Sequence, residues 1–432
     1  MLPNIVFIMA DDLGYADLSC CGRDDYSTPN IDRIAERGVR FTQAYANSAV
    51  CSATRLALIT GRYQYRLPLG LEEPLAGKTD VGLPPEHPTL VSLLRQAGYG
   101  TTLIGKWHLG MPPLFGPLKS GYDRFWGIRS GAVDYYSHKN SRNQDDLWDG
   151  DEPVRAAGYI TDLLGDRAVG AINDYAARRQ PFLLSLHFTA PHWPWEAPGD
   201  ETESERLLGG NLRHYDGGTM RTYGRMVQAM DLQVGRVLQA LDWNGLSGST
   251  IVIFTSDNGG ERFSATWPFT GIKTELLEGG LRVPALICWP ERIPAGLVSE
   301  QVTATMDWFP TLLEAAGIAP HPEYPPDGVS LLPVLIGSRD PQPRTLFWRY
   351  KTNRQRAVRE GDFKYLKIRD NTYLFNVVED PRERANLKER RADFFHRLAA
   401  AWEAWNATML PEIPDSFGEA FHTEHYADHI GS

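Results

Sequence analysis

Near-continuous apolar runs of strand length recur along the chain, with segments of helical spacing between them. "NIVFIMA" (4–10), "TTLIG" (101–105), "PFLLSLHF" (181–188) and "STIVIFTS" (249–256) lack the alternation of a half-exposed strand. They predict strands covered on both faces. "STPNIDRIAERG" (27–38) predicts a helix: Thr28 stands at the capping position, Pro29 in the first turn, Ile31, Ile34 and Ala35 on one face, Gly38 at the end. "HPTLVSLLRQAGYG" (87–100) repeats this scheme with Gly98 as its stop, and "RLALITG" (55–61) reads as a helix closed by Gly61. In "GRMVQAMDLQVGRVLQALDWNG" (224–245), Val227, Met230, Val234, Val237, Leu238 and Leu241 recur at a helical period. Strands alternating with helices predict an α/β domain around a mostly parallel sheet.

From about residue 340 the texture changes. "RTLFWRY", "RQRAVREGDFKYLKI" and "TYLFNVV" are short strands separated by turn residues, the pattern of a small antiparallel sheet, with a helix expected over 384–407 and an irregular tail to Ser432. The boundary divides the chain into a larger N-terminal unit, 1–338, and a smaller C-terminal unit, 339–432. Residues 110–160, rich in Gly, Pro, Asp and aromatics, read as a long covering loop region.

The polar clusters follow the predicted strands. Asp11 and Asp12 follow the first, Lys106 and His108 follow "TTLIG", His192 follows "LLSLHFTAP", and Asp257 and Asn258 follow "TIVIFTS". In an open parallel sheet, ligands bind in the crevice beyond the carboxyl ends of the strands, so these distant clusters converge on one rim. Taken singly, each has an ordinary explanation, "DNGG" as a turn and a lone cysteine as a small buried hydrophobe. Together they predict a site.

Composition narrows the chemistry. The chain has 432 residues, 42% hydrophobic and 23% charged, ample for a large buried core. A net charge of -10 without a basic tract argues against nucleic acid and acidic membrane surfaces as main partners. No apolar window reaches the length of a membrane span, and "MLPNIVFIMADD" has neither a basic region nor a cleavage site of a signal peptide; a cytoplasmic location is the expectation. Four cysteines, Cys20, Cys21, Cys51 and Cys288, form no disulfide framework.

Asp11, Asp12, Asp257 and the Asn258 amide make an all-oxygen ligand set, suited to Ca²⁺ or Mg²⁺. The three aspartates balance Arg55, Lys106 and Lys273, so a divalent cation would leave the pocket at +2 and attractive to an anion. Cys51 and Arg55 share a helical face. A thiolate is an odd nucleophile beside hard oxygen ligands and a hard cation, so the spacing fits an oxygen nucleophile while the sulfur does not.

"CSATRLALITG", "GYGTTLIGKWH", "MADDLGYADL", "SDNGG" and "GIKTELLEGGLRVP" resemble the signatures of the type I, formylglycine-dependent sulfatases, most closely the arylsulfatase A and N-acetylgalactosamine-6-sulfatase branch, over nearly the whole chain. The resemblance implies an alkaline-phosphatase-like α/β domain and a C-terminal domain with a four-stranded antiparallel sheet. It implies that a formylglycine-generating enzyme oxidises Cys51 to Cα-formylglycine, whose hydrate attacks the sulfur of a sulfate monoester. By the same resemblance, Asp11, Asp12, Asp257 and Asn258 hold the metal with the modified Cys51. Arg55, Lys106 and His108 position the hydrate, and His192 and Lys273 grip the sulfate and assist the leaving group. Asp257 relieves the attacking hydroxyl of its proton, His108 takes the proton of the remaining one, and Ser130 matches a substrate-contacting serine. The chain departs from the family at Ala53, where proline is usual, which bears on how the generating enzyme handles it.

Two rivals belong beside this reading: a phosphodiesterase or phosphonate monoester hydrolase of the same superfamily, and a non-catalytic binder of sulfated glycans. The aromatic stretches "VDYYSH" (133–138), "HWPW" (192–195) and "TWPF" (266–269) are candidates to line the substrate pocket.

Overall fold

The computed structural model describes residues 2–420. Among these, a ten-stranded sheet contains β1 (Asn4–Ala10), β2 (Val39–Phe41), β3 (Gly100–Lys106), β4 (Arg124–Ile128), β5 (Trp148–Asp149), β6 (Glu152–Pro153), β7 (Phe182–His187), β8 (Thr250–Ser256), β9 (Ala285–Cys288) and β10 (Leu297–Ser299). Its spatial order is β10-β2-β9-β8-β1-β7-β3-β4-β5-β6. From β8 to β4 every neighbouring pair is parallel. β9 runs antiparallel to β8 and β2, and the short β5 and β6 close the other edge antiparallel.

Helices α1 (Pro29–Glu36), α2 (Cys51–Thr60), α3 (Leu90–Gln96), α4 (Ile160–Arg178) and α5 (Met220–Trp243) cover the sheet. All seven residues of β1 are buried. Val6, Ile8 and Ala10 pack into one core with residues of α1, α4 and α5, while Ile5, Phe7 and Met9 pack into a second with residues of α2 and α3. That two-sided burial explains the uninterrupted apolar run, since each such aliphatic side chain contributes about 1.5–3 kcal/mol. The apolar residues expected on one face of α5 all lie in the first core.

C-terminally, β11 (Thr345–Tyr350), β12 (Gln355–Glu360), β13 (Phe363–Ile368) and β14 (Asn371–Asn376) form a separate antiparallel sheet in sequence order. Helix α6 (Ala392–Asn406) covers one face through Leu398 and Trp402, and the other packs on the main body through Trp348, Tyr350 and Leu366.

Several local expectations need correction. Thr28 does not cap α1 with its side chain: its hydroxyl donates to Asp32 at 3.0 Å, and the carboxylate of Asp231, from α5, accepts from the Asn30 and Ile31 amides at 3.0 and 2.8 Å. A full negative charge is the stronger acceptor for first-turn N–H groups. The last helix begins at Ala392 rather than 384, because the Asp380 carboxylate takes the Arg384 and Ala385 amides, both at 2.7 Å, into a local turn. Residues 110–160 are not all loop, for they contain β4, β5 and β6. The tail is ordered against the main body up to residue 420, and its remainder lies outside the described residues.

Candidate active site

Four carboxyl ends of parallel strands supply the polar residues. Asp11 and Asp12 leave β1, Lys106 ends β3 with His108 two residues on, His192 follows β7, and Asp257 and Asn258 leave β8. Cys51 is the first residue of α2, and Gly61 ends that helix in the left-handed conformation (φ +68°), donating to Ala57 O at 2.9 Å. Arg55, one turn after Cys51, reaches Asp257 Oδ2 through Nε at 2.9 Å and Nη2 at 2.8 Å, and its Nη2 lies 3.8 Å from Asp11 Oδ1. Lys106 Nζ donates to Asp11 Oδ2 at 2.6 Å, and Lys273 Nζ to Asp12 Oδ2 at 2.9 Å. Asn258 Nδ2 donates to Asp12 Oδ1 at 2.7 Å. Asp12 and His108 both hold left-handed backbone conformations (φ 63° and 57°), each costing about 1–3 kcal/mol, the kind of strain found at functional sites.

Hydrogen bonds assign the imidazole protons. His192 Nδ1 donates to Trp193 O at 2.7 Å, since a carbonyl can only accept, leaving Nε2 to accept from Lys273 Nζ at 3.3 Å. His108 Nε2 donates to Leu75 O at 2.9 Å, which leaves Nδ1 a buried lone pair without a partner among the described residues. Gly131 permits that ring position, because a Cβ there would stand 2.7 Å from His108 Cε1. Burial, and then the charges of Lys273 and Lys106, hold His192 well below the usual imidazole range; burial and Lys106 do the same to His108. Both rings are neutral at neutral pH.

The carboxyls split. Burial, with Asp257 and Asp12 adding to it against Lys106 and Arg55, pushes Asp11 well above its ordinary value. Burial also acts on Asp257, but Arg55 and Lys106 outweigh it and keep this carboxyl low. Burial pushes the Cys51 thiol up to about 12, against the opposing pull of Lys106 and Lys273, so the group is a thiol rather than a thiolate.

Ligand atoms of Asp11, Cys51 and Asp257 lie within 4.8 Å of one another, as do those of Asp11, Asp12 and His192. Asp11 Oδ1 and Asn258 Oδ1 are buried with no hydrogen-bond partner among the described residues. Orphaned oxygens beside three aspartates are what a hard cation would satisfy.

A cavity of about 470 Å³ opens onto this centre, lined by Cys51, His108, Ser130, His192 and Lys273. Residues 3–318 match the Sulfatase family, and residues 272–400 match the N-sulphoglucosamine sulphohydrolase, C-terminal family. This chain belongs to the sulfatase family. It is 34% identical to mouse (Mus musculus) N-acetylgalactosamine-6-sulfatase over 385 residues, spanning 84% of this chain and 71% of the relative. The crystal structure of Ps i-CgsB in complex with k-i-k-neocarrahexaose matches with a TM-score of 0.86 at 29% identity, covering 99% of this chain and 97% of that one. Phosphonate monoester hydrolase of Agrobacterium radiobacter matches with a TM-score of 0.65 at 22% identity, covering 94% and 95%, a likeness of fold alone. The architecture is the alkaline-phosphatase-like fold of sulfatases.

All the site residues expected from the sequence therefore lie at one centre or on its cavity. The aromatic expectation is corrected: among the described residues, only "HWPW" contributes to the lining, through His192 and Trp193. Tyr135 is buried beneath, its hydroxyl on the carbonyls of Thr189 and His192, and Trp267 stands at the surface beside Arg382. Sequence reasoning missed Arg129, which directly follows β4 and stands beside Ser130, and also Arg142, Arg213 and Glu419, which reach the cavity from loops and the C-terminal tail with no motif around them. It also missed His187, buried beneath Arg55 with Nδ1 3.3 Å from Lys106 O; as the last residue of β7 it stood at a strand end, the one signal available.

Proposed function

We propose that this sulfatase hydrolyses sulfate monoesters of carbohydrates, using Cys51 converted to Cα-formylglycine and a Ca²⁺ ion held by Asp11, Asp12, Asp257 and Asn258. The orphaned Asp11 and Asn258 oxygens support the cation, as does a pocket whose three aspartates and three cationic side chains otherwise cancel. When present, the formylglycine hydrate supplies an oxygen nucleophile and the ion polarises it.

The remaining tasks fall to the chain itself. Arg55 and Lys106 hold Asp257 ionised, and the Asp257 carboxylate accepts the proton of the attacking oxygen. Lys273 Nζ, kept protonated by Asp12 despite burial, protonates the departing alkoxide. His192 orients that ammonium through Nε2 rather than acting as the acid, because its own proton is committed to Trp193 O. His108 Nδ1 is the free base available to reset the site.

The carbohydrate assignment rests on the lining. Asn140, Ser141, Gln144 and Asn211 bring amides and a hydroxyl to the wall, beside the rings of Trp193 and Phe417, a mixture of hydrogen-bonding groups and stacking faces that suits a polyhydroxylated ring. The saccharide complex of Ps i-CgsB is consistent with this choice. The single observation that carries the proposal is Cys51 on the floor of this cavity, with Arg55 beside it and both orphaned ligand oxygens at the centre. The test is co-expression with a formylglycine-generating enzyme, mass spectrometry of the Cys51 peptide, and rates on sulfated sugars, an aryl sulfate and the matching phosphate esters. Faster turnover of phosphate esters, or activity with wholly unmodified Cys51, would overturn it.

A further inference from the structure

One wall of the cavity comes from the C-terminal tail. After α6 the chain turns back and lays residues 410–420 against the main body. Leu410 N donates to Tyr65 O at 3.0 Å, Phe417 N to Glu72 Oε2 at 2.9 Å, and Glu419 N to Glu73 O at 2.6 Å. Lys351 Nζ ties down the Ile413 and Pro414 carbonyls at 3.1 and 2.8 Å, and the Tyr350 hydroxyl donates to Glu419 O at 3.0 Å. So anchored, Phe417 and Glu419 line the same cavity as Cys51.

Glu419 has bonding capacity that its neighbours leave unused. Its Oε1 lies 3.3 Å from Arg213 Nη2, while its Oε2 is buried and accepts from no described residue. Only 12% of the side chain is exposed. A buried carboxylate oxygen is costly to leave without a donor, so a ligand that supplies one is favoured. The carboxylate also lies near enough to Lys273 to help hold that ammonium charged, after the larger effect of Asp12. Besides the arginines on its walls, the cavity thus presents Lys273 for the sulfate and, within electrostatic reach of it, an acceptor-only group for something else on the same molecule.

We propose that Glu419 is a specificity-determining residue: its Oε2 accepts a hydrogen bond from a free hydroxyl of the sulfated sugar, and its charge excludes a second sulfate or a carboxylate at that ring position. Arg213 does not rescue such an anion, because it already faces Glu419 Oε1. The inference rests on the carbohydrate sulfatase reading above and names the substrate feature that site selects.

The experiment takes the converted enzyme and the sulfated monosaccharide it hydrolyses fastest from a panel, then measures kcat/KM for that sugar, its single-deoxy analogues and its disulfated analogues. Wild type is expected to discriminate against one deoxy analogue by about 10- to 100-fold, the range for a hydrogen bond to a charged group. In Glu419→Ala that discrimination falls within about 3-fold, because nothing remains to miss the hydroxyl. In Glu419→Gln, which keeps an acceptor but loses the charge, the rate on the disulfated sugar relative to the parent rises at least about tenfold. These ratios do not move if Glu419 merely supports the fold, and the Gln variant serves should the Ala variant fold poorly. Unchanged ratios in both variants overturn the role of Glu419 alone. A panel without turnover overturns the sulfatase reading itself, and this inference with it.

Discussion

Removing Lys106 tests the electrostatics of the centre directly. Its ammonium is fully buried, 2.6 Å from Asp11 Oδ2, while the next cation, Arg55, is 3.8 Å from the other oxygen. Lys106→Met leaves three buried aspartates against two cationic side chains, and breaking a buried pair from one side costs about 3–5 kcal/mol. For 432 residues the unfolding entropy is roughly 0.9 kcal/mol/K, so Tm falls by about 3–6 °C in chelator. With saturating Ca²⁺ the ion takes over the compensation of Asp11, and the fall is expected to shrink to less than half. Differential scanning calorimetry of wild type and variant, each in EDTA and in CaCl₂, measures all four values. An equal fall in both buffers would refute a cation among these aspartates, and a fall under 1 °C in EDTA would refute Lys106 as their partner.

Other expectations follow from single features. Cys51→Ser should show no multiple turnover: a serine carries one hydroxyl, so it takes up one sulfate and keeps it, which intact mass spectrometry would reveal; steady turnover would contradict this. His187 is held down at about 3, chiefly by burial with Arg55 adding to it, while in the unfolded chain it titrates near 6.5. The native state therefore stays neutral as the unfolded chain gains a proton, and stability is lost as pH falls below 6.5, by about 2 kcal/mol at pH 5. His187→Gln should remove that part of the fall in urea midpoint between pH 7.5 and 5, and an unaltered pH dependence would count against it. Ala53 is the third residue of α2, where the backbone N–H has no helical partner to lose. Ala53→Pro should therefore keep Tm within about 2 °C while raising the converted fraction of Cys51 in co-expression, read by peptide mass spectrometry.

The fold was readable where burial is two-sided. β1, β7 and β8 announce themselves because each residue faces a core, and α5 because six of its apolar positions do. The centre was readable too, since Asp11, Lys106, His192 and Asp257 all stand at or just beyond strand ends, where the sheet topology gathers them. What escaped depends on partners far away in sequence. Asp231 displaces Thr28 as the cap of α1 from some 200 residues downstream, which no local pattern signals. β4 lies inside a Gly- and Pro-rich stretch and is a strand because β3 offers it a parallel partner. Glu419 is held at the cavity by its amide on the Glu73 carbonyl, by the Tyr350 hydroxyl and by Arg213, partners invisible to composition or period.

The placement of β1 at the middle of the sheet also sets a timetable for the growing chain. Both of its neighbours are encoded much later, β7 from Phe182 and β8 from Thr250. At about 5–20 residues per second, the first strand waits roughly 10–35 s after its synthesis for its earlier partner to emerge. α2 waits longer still, since the second core, into which it packs, includes Trp308 and Phe309, and in the finished molecule Cys51 is 2% exposed within a helix. On the proposed conversion of Cys51, the generating enzyme has its access to "CSATR" in that interval, before α2 is enclosed. Substitutions that hasten closure over α2 are then expected to lower the converted fraction without touching a single residue of the site.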